Sequence, residues 1–207
     1  MIKKSVYPKT KRIGLFGEVI ITEKIDGSNL CLFKLNGKLH IAQRNNIFEL
    51  NEIDECANQL YKGLYGWLKE NGEQLQNGLN ETSAICGEWV GMGKLKYDFN
   101  ERFLMFAKAN VNEDYQLLNI NYTRDYFIYP FVEKEIPSYI GLVPLVFKGQ
   151  NMFYDTVLWL NQLYDEYTEM VNRNVEGFVI NRDNNILKYV RMKNGQLSDH
   201  KCGNDNE

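Results

Sequence analysis

Apolar runs rich in β-branched residues mark most of this chain as strand, and helical spacing is confined to two stretches. Val19-Ile20-Ile21-Thr22 reads as a buried strand that delivers Lys24 at its end. Asp26-Gly27 then reads as a turn, because glycine takes φ > 0 without steric cost. Leu30 to Leu35 and Lys38 to Gln43 read as further strands joined at Asn36-Gly37, a two-residue hairpin signal. Residues 18–43 are therefore expected to form a three-stranded meander, with Arg44 just beyond its last strand.

Asn51 suits a helix N-cap, and Glu52, Asp54 and Glu55 suit the positive end of the helix dipole. Ile53, Cys56, Ala57, Leu60, Leu64, Trp67 and Leu68 recur at helical spacing, and Asn71-Gly72 reads as the stop. Residues 82–90 read as a strand carrying Glu88, followed by a loop with Gly91, Gly93, Lys94 and Lys96. Phe103 to Ala109 is predicted as a strand, and Tyr115 to Tyr129 has no clear period. Ile140 to Lys148 reads as an edge strand interrupted by Pro144. A second amphipathic helix is predicted over Asp155 to Asn172, with Leu160, Leu163, Tyr164, Tyr167, Met170 and Val171 on one stripe. The last predicted strands are Val175 to Asn181, with Glu176 near its start, and Ile186 to Met192, which carries Lys188 and Arg191 and leads to Lys193.

Composition adds bounds. The 207 residues suffice for one sizeable domain or two very small ones, and 44% hydrophobic with 25% charged is ordinary for a globular protein. The 13 Tyr and 11 Phe suit either a β-rich core or base-stacking surfaces. No apolar run approaches the ~18–20 residues of a membrane span, and the N-terminus lacks the apolar stretch of a signal peptide, so a cytoplasmic protein without membrane partners is expected. Four scattered cysteines and two histidines, none in a Cys-x-x-Cys arrangement, argue against structural zinc. Net charge is -3, but Lys3, Lys4, Lys9, Lys11 and Arg12 precede the first acid, and Lys188, Arg191, Lys193 and Lys201 gather near the other end. Such clusters are solvated faces or parts of a phosphate-binding surface.

A lysine before an Asp-Gly turn is most often a solvated residue of a surface hairpin. Here it stands first in an ordered set: Glu23-Lys24-Ile25-Asp26-Gly27-Ser28-Asn29, Gly87-Glu88-Trp89-Val90-Gly91, Phe103-Leu104-Met105-Phe106, Val175-Glu176-Gly177-Phe178, and Val190-Arg191-Met192-Lys193. These segments resemble motifs I, III, IIIa, IV and V of the covalent nucleotidyltransferases, the superfamily of ATP-dependent DNA and RNA ligases and mRNA capping enzymes, and most of all its RNA ligase 2-like branch. Each motif alone is weak; five in order across residues 23–194 are specific.

The resemblance implies an α+β nucleotidyltransferase domain of two mostly antiparallel sheets flanking a nucleotide cleft, with outer helices. It implies that Lys24 attacks the α-phosphate of ATP to give a lysyl-AMP phosphoramidate. The amine must be neutral to attack. A free lysine, pKa about 10.4, is neutral only about once in 2,500 molecules at pH 7, a penalty of roughly 4.6 kcal/mol, which a nearby cation and partial desolvation reduce. Arg191 and Lys193 would contact the α-phosphate, with Lys188 an alternative occupant of the first of these positions. Glu88 would accept from the ribose hydroxyls, and Phe106 would stack on adenine or serve as an ordinary core residue. Glu176 would position a divalent metal, Mg²⁺ or Mn²⁺, with Asp26 near the ribose and the metal's waters. Glu23 and Gly27 complete motif I and, with Asn29, are expected among the ATP- and AMP-binding residues; Asn29 is also a candidate for the 5′-phosphate pocket. Arg44 would contact the 3′-OH strand or the nucleotide, or be a solvated strand end.

The sequence departs from the family at Ala107, where an acid is common, and at Arg191, where lysine is usual. Only a short polar tail follows motif V, with no OB-fold or helical C-terminal domain, so a single domain over 1–207 is expected. The expected partner is RNA with 5′-phosphate and 3′-OH ends, with an accessory protein replacing the missing domain as one possibility. The alternatives are a small ATP-dependent ligase of DNA nicks and a catalytically idle nucleic-acid-binding module.

Overall fold

The computed structural model describes residues 17–151, 156–182, 184–193 and 196–197, with side chains for all of these except 17, 151, 193, 196 and 197. The basic N-terminal cluster, Lys201 and Cys202 lie outside the described residues. Two compact units form: Gly27–Val143, and the described residues of 10–26 and 144–207.

The first unit holds β2 (Ser28–Leu35), β3 (Lys38–Ala42), β4 (Ile47–Glu49), α1 (Leu64–Gly78), β5 (Ser83–Trp89), β6 (Phe103–Val111), β7 (Leu117–Asn121) and β8 (Gly141–Leu142). They make one seven-stranded sheet in the order β4-β3-β2-β5-β6-β7, antiparallel throughout except for β8, which pairs parallel with β6. One face buries Leu30, Leu32, Ile41, Ile85, Phe103 and Met105 against Leu64, Leu68 and Leu75 of α1. The other face carries Cys31, Phe33, Ala84, Cys86, Ala107 and Ala109. This two-faced burial follows from strand alternation, and it explains why the strands read as near-continuous apolar runs.

The second unit holds β1 (Gly17–Lys24), β9 (Leu145–Asn151), α2 (Thr156–Val171), β10 (Gly177–Arg182) and β11 (Asn185–Val190) in a four-stranded antiparallel sheet ordered β11-β10-β1-β9. A short hairpin of β12 (Met192–Lys193) and β13 (Gln196–Leu197) follows. Leu160, Tyr164 and Tyr167 of α2 pack on Val19, Ile21, Phe178, Ile180 and Tyr189. Phe178 and Tyr189 stack at 5.8 Å between ring centroids, with Tyr164 and Tyr167 set at steep angles to Phe178.

The two mostly antiparallel sheets with few helices match the expected fold class. Local expectations fail at three places. Residues 18–43 are not a meander: β1 pairs with β9 and β10, while β2 pairs with β3 and β5. Asp26-Gly27 is thus a passage between two sheets, not a hairpin turn. Gly27 does not take a positive φ; it is needed because a Cβ there would lie 2.7 Å from the Trp89 carbonyl oxygen. The first helix starts at Leu64, after 3-10 turns at Leu50–Glu52 and Ala57–Gln59, and runs through Gly72 to Gly78. Gly72 is no stop signal, because its missing side chain makes room for Leu50, whose Cδ1 would sit 2.6 Å from an added Cβ. Pro144 does more than interrupt a strand: it separates β8 of one sheet from β9, an edge strand of the other.

Among the described residues no helix is long and apolar enough to cross a membrane. Cys31, Cys56 and Cys86 are free thiols.

Two glycines are expected to respond oppositely to alanine. At Gly177, φ is +154° and an added Cβ would lie 2.0 Å from the Tyr189 carbonyl oxygen, so Gly177→Ala is expected to destabilise by about 1–3 kcal/mol. At Gly78, in α1, nothing lies within 4 Å of the added atom, so Gly78→Ala is expected to stabilise by about 0.5–1 kcal/mol. Urea denaturation of the two variants measures both.

Candidate functional site

Lys24 ends β1, and its Cα partner on β10 is Gly177. That register sets Glu176, the residue before β10, beside the lysine, and Glu176 Oε1 lies 2.5 Å from Lys24 Nζ. The other oxygen, Oε2, is buried and has no hydrogen-bond partner among the described residues. Burial raises the Glu176 carboxyl above its usual range, while Lys24 pulls it down, Asp26 pushes it up and Lys188 pulls it down.

Strand alternation decides which residues join this group. Thr22, Val179 and Lys188 form one cross-strand row, and Lys24, Gly177 and Val190 the next but one, so Lys188 shares the sheet face of Lys24. Arg191 does not. Its Nη1 donates to Asn161 Oδ1 at 2.6 Å and to the Tyr189 hydroxyl at 3.3 Å, and its guanidinium lies 5.3 Å from the Tyr164 ring centroid. It therefore packs on the α2 face. Its backbone remains tied to the site, because the amides of Arg191 and Met192 both donate to the Glu176 carbonyl, at 2.9 and 3.0 Å. The Lys193 backbone is in β12, and its side chain lies outside the described residues.

A divalent cation fits this set. Magnesium is usually held by one or two carboxylates together with substrate phosphates and water. The orphaned Oε2 of Glu176, with Asp26 close enough to act on it electrostatically, is such a donor set. Among the described residues no group of three or more His, Cys, Asp or Glu forms a metal site by itself.

In the first unit, Asn29 and Glu88 are direct partners across β2 and β5, and Asn29 Nδ2 donates to Glu88 Oε1 at 2.9 Å. Both lie on the face opposite α1, two residues from Cys31 and Cys86 of that face. Phe106 is half-buried against the same face, at the register shift where β5 and β6 slip past each other. Arg44 is exposed in the connection between β3 and β4. Its amide donates to the Tyr61 hydroxyl at 3.2 Å, and that hydroxyl donates to the Asn29 carbonyl at 3.2 Å. Burial raises the Tyr61 hydroxyl above its usual range, so it remains a donor at neutral pH.

Three residues that sequence reasoning missed hold these positions. Tyr61 links Arg44 to Asn29. Arg102 donates to the Lys62 and Val90 carbonyls at 3.0 and 3.1 Å and stacks on Trp89 at 4.8 Å, fixing the chain just after Glu88. Arg173 reaches Glu23 at 2.5 and 2.6 Å. None stands in a motif, and each acts through contacts between residues far apart in sequence, so no local signal marks them.

The fold and this arrangement define a class: α+β proteins of two mostly antiparallel sheets, with a strand-end lysine beside a half-buried carboxylate. The RNA ligase family model matches residues 17–190, and the chain belongs to that family. Two solved structures of an archaeal ATP-dependent RNA ligase, forms 1 and 2, each align at TM-score 0.53 with 18% and 17% identity. Each alignment covers 89% of this chain and 48% of the other, so this chain spans about half the length of those relatives. A mutant Naegleria gruberi RNA ligase with ATP and Mn aligns at TM-score 0.49 and 16% identity, over 91% of this chain and 58% of that one. No curated protein matches.

The ion pair has a measurable signature. Removing the ammonium in Lys24→Met is expected to move the Glu176 carboxyl pKa up, because the largest influence opposing burial is gone. The folded state then binds that proton more tightly than the unfolded chain, whose glutamate titrates near about 4.3. Stability that is fully present below that value is lost as pH rises through the raised folded value. Carboxyl ¹³C NMR titration of both proteins measures the shift, and an unchanged Glu176 would show that Lys24 does not act on it.

Proposed function

We propose that the protein is an ATP-dependent ligase that seals RNA 5′-phosphate and 3′-OH ends through a lysyl-AMP intermediate. The observation that carries this reading is the Lys24–Glu176 pair, at 2.5 Å, in a chain that belongs to the RNA ligase family. Because the family match runs continuously from 17 to 190, we read both units as parts of one nucleotidyltransferase domain.

In the first step the Lys24 amine attacks the α-phosphorus of ATP. A P–N bond forms, the bond to the β-phosphate oxygen breaks, and pyrophosphate leaves. An ammonium is not a nucleophile, so the ion pair with Glu176 has to open and the lysine release a proton to solvent water before attack. In the second step an RNA 5′-phosphate oxygen attacks the lysyl-AMP phosphorus and frees the lysine. In the third step the 3′-OH attacks the activated 5′-phosphate and AMP leaves.

Glu176 and Asp26 would hold a divalent metal ion, Mg²⁺ or Mn²⁺, which when bound supplies positive charge at the reacting phosphates. Lys188, on the face of Lys24, offsets negative charge on the α-phosphate as it is transferred. Arg191 and Lys193 are the other candidates for that role, and in Arg191 the guanidinium must leave Asn161 to take it. Glu88 accepts from the ribose hydroxyls, Phe106 stacks on adenine, and Asn29 and Arg44 face the RNA ends.

Intact mass after incubation with ATP and Mg²⁺ tests this directly. Wild type is expected to gain one AMP and Lys24→Ala none; an adduct in the variant, or none in wild type with Mn²⁺ after pyrophosphate treatment, would refute the assignment. Matched nicked RNA and DNA substrates then decide the polymer, with RNA expected to be sealed faster. Glu176→Gln, which keeps the shape but loses the charge, is expected to slow adenylylation by about 10²-fold, read from transfer of α-labelled AMP at saturating ATP.

A further inference from the structure

Glu23, the neighbour of Lys24, faces the other way. It sits in the cross-strand row with Phe178 and Tyr189, on the α2 side, and its side chain is fully buried. Its carboxylate accepts from Arg173 Nη1 at 2.5 Å, from Arg173 Nη2 at 2.6 Å and from the Tyr167 hydroxyl at 2.8 Å. Burial pushes the Tyr167 hydroxyl up, so it stays protonated and donates. Arg173 arrives by way of Asn172, which turns the chain out of α2 with φ of 50°.

The strand needs help at this point. Pairing of β1 with β9 shifts register between Ile21 and Thr22 and ends at Thr22, beyond which the Glu23 amide donates to the Pro144 carbonyl at 2.9 Å. Lys24 itself is paired on the β10 side, with a glycine. A buried ion pair is a poor way to gain stability, because apolar residues of similar volume usually do as well or better. Its strength is a single bidentate geometry, which a planar guanidinium imposes and a lysine does not.

We infer that Arg173, with Tyr167, is a positioning residue for the nucleophile: by clamping the Glu23 carboxylate it fixes the end of β1, and so the direction from which the Lys24 amine is presented. Arg173 touches no reacting atom in this scheme; it acts through Glu23. The inference rests on the reading of Lys24 as the nucleophile.

The test is single-turnover transfer of α-labelled AMP to the full chain, with the rate at saturating ATP, the KM for ATP and the thermal midpoint measured for each protein. The double variant Glu23→Leu/Arg173→Met replaces both charges and is expected to fold. It should adenylylate Lys24 about 10²-fold more slowly at saturating ATP, the scale of an ångström of misplacement, with KM unchanged. Arg173→Lys keeps the charge without the fork and should fall between the two. A folded double variant with the wild-type rate, or a loss confined to KM, overturns the inference. If the double variant does not fold, Arg173→Lys is judged by the same criteria. Wild type that forms no adduct sinks the nucleophile reading and this inference with it. Wild type that reacts alongside equally fast variants sinks this inference alone.

Discussion

The antiparallel register of β1 and β10 is the constraint on which the unit carrying the lysine depends. It sets Lys24 opposite Gly177, and the residue before that glycine is then obliged to be the neighbour of the ammonium. Glu176 occupies that place with one oxygen on Lys24 and the other without a hydrogen-bond partner among the described residues. The glycine is equally constrained, since the Tyr189 carbonyl fills the space where its side chain would be. A Glu-Gly pair at the start of a strand is a common dipeptide. Here each half has a separate physical reason, one electrostatic and one steric.

Strand β1 also divides charge between two faces. Glu23 is turned inward, where Arg173 and Tyr167 satisfy it among the aromatic rings of α2, and Lys24 is turned to the opposite face. Two adjacent charges of opposite sign on a strand would ordinarily both be solvated. Burying one costs desolvation that three hydrogen bonds offset, and the adjacent lysine is held by the same backbone. The same partition by faces separates Lys188 from Arg191. The lysine shares the face of Lys24, while the arginine is spent on Asn161, Tyr164 and Tyr189.

In the other unit, Asn29 and Glu88 meet because β2 and β5 are sheet neighbours although far apart in the chain. Tyr61 and Arg102 come from connections that carry little regular structure, yet each ties down backbone carbonyls beside those strands. Polar side chains that bond to main chain in this way order a loop without adding to the apolar core. That is why the short motifs on the strands leave these supports unannounced.

The positions of most strands, the second helix and the order of the motif residues were determined by the sequence alone, because alternation, helical spacing and short chemical motifs are local properties. Lys24, Glu88 and Glu176 could be singled out for that reason. Sheet membership was not local. Asp26-Gly27 carries the same turn signal whether the chain folds back or passes into another sheet, and only the partners of β1 decided between them. Gly72 reads as a helix stop until Leu50 is seen to need its space. The Glu23–Arg173 clamp, the Tyr61 bridge and the turning of Arg191 toward α2 were likewise decided by tertiary structure, because each is a contact between residues that packing, rather than sequence proximity, brings within hydrogen-bonding distance.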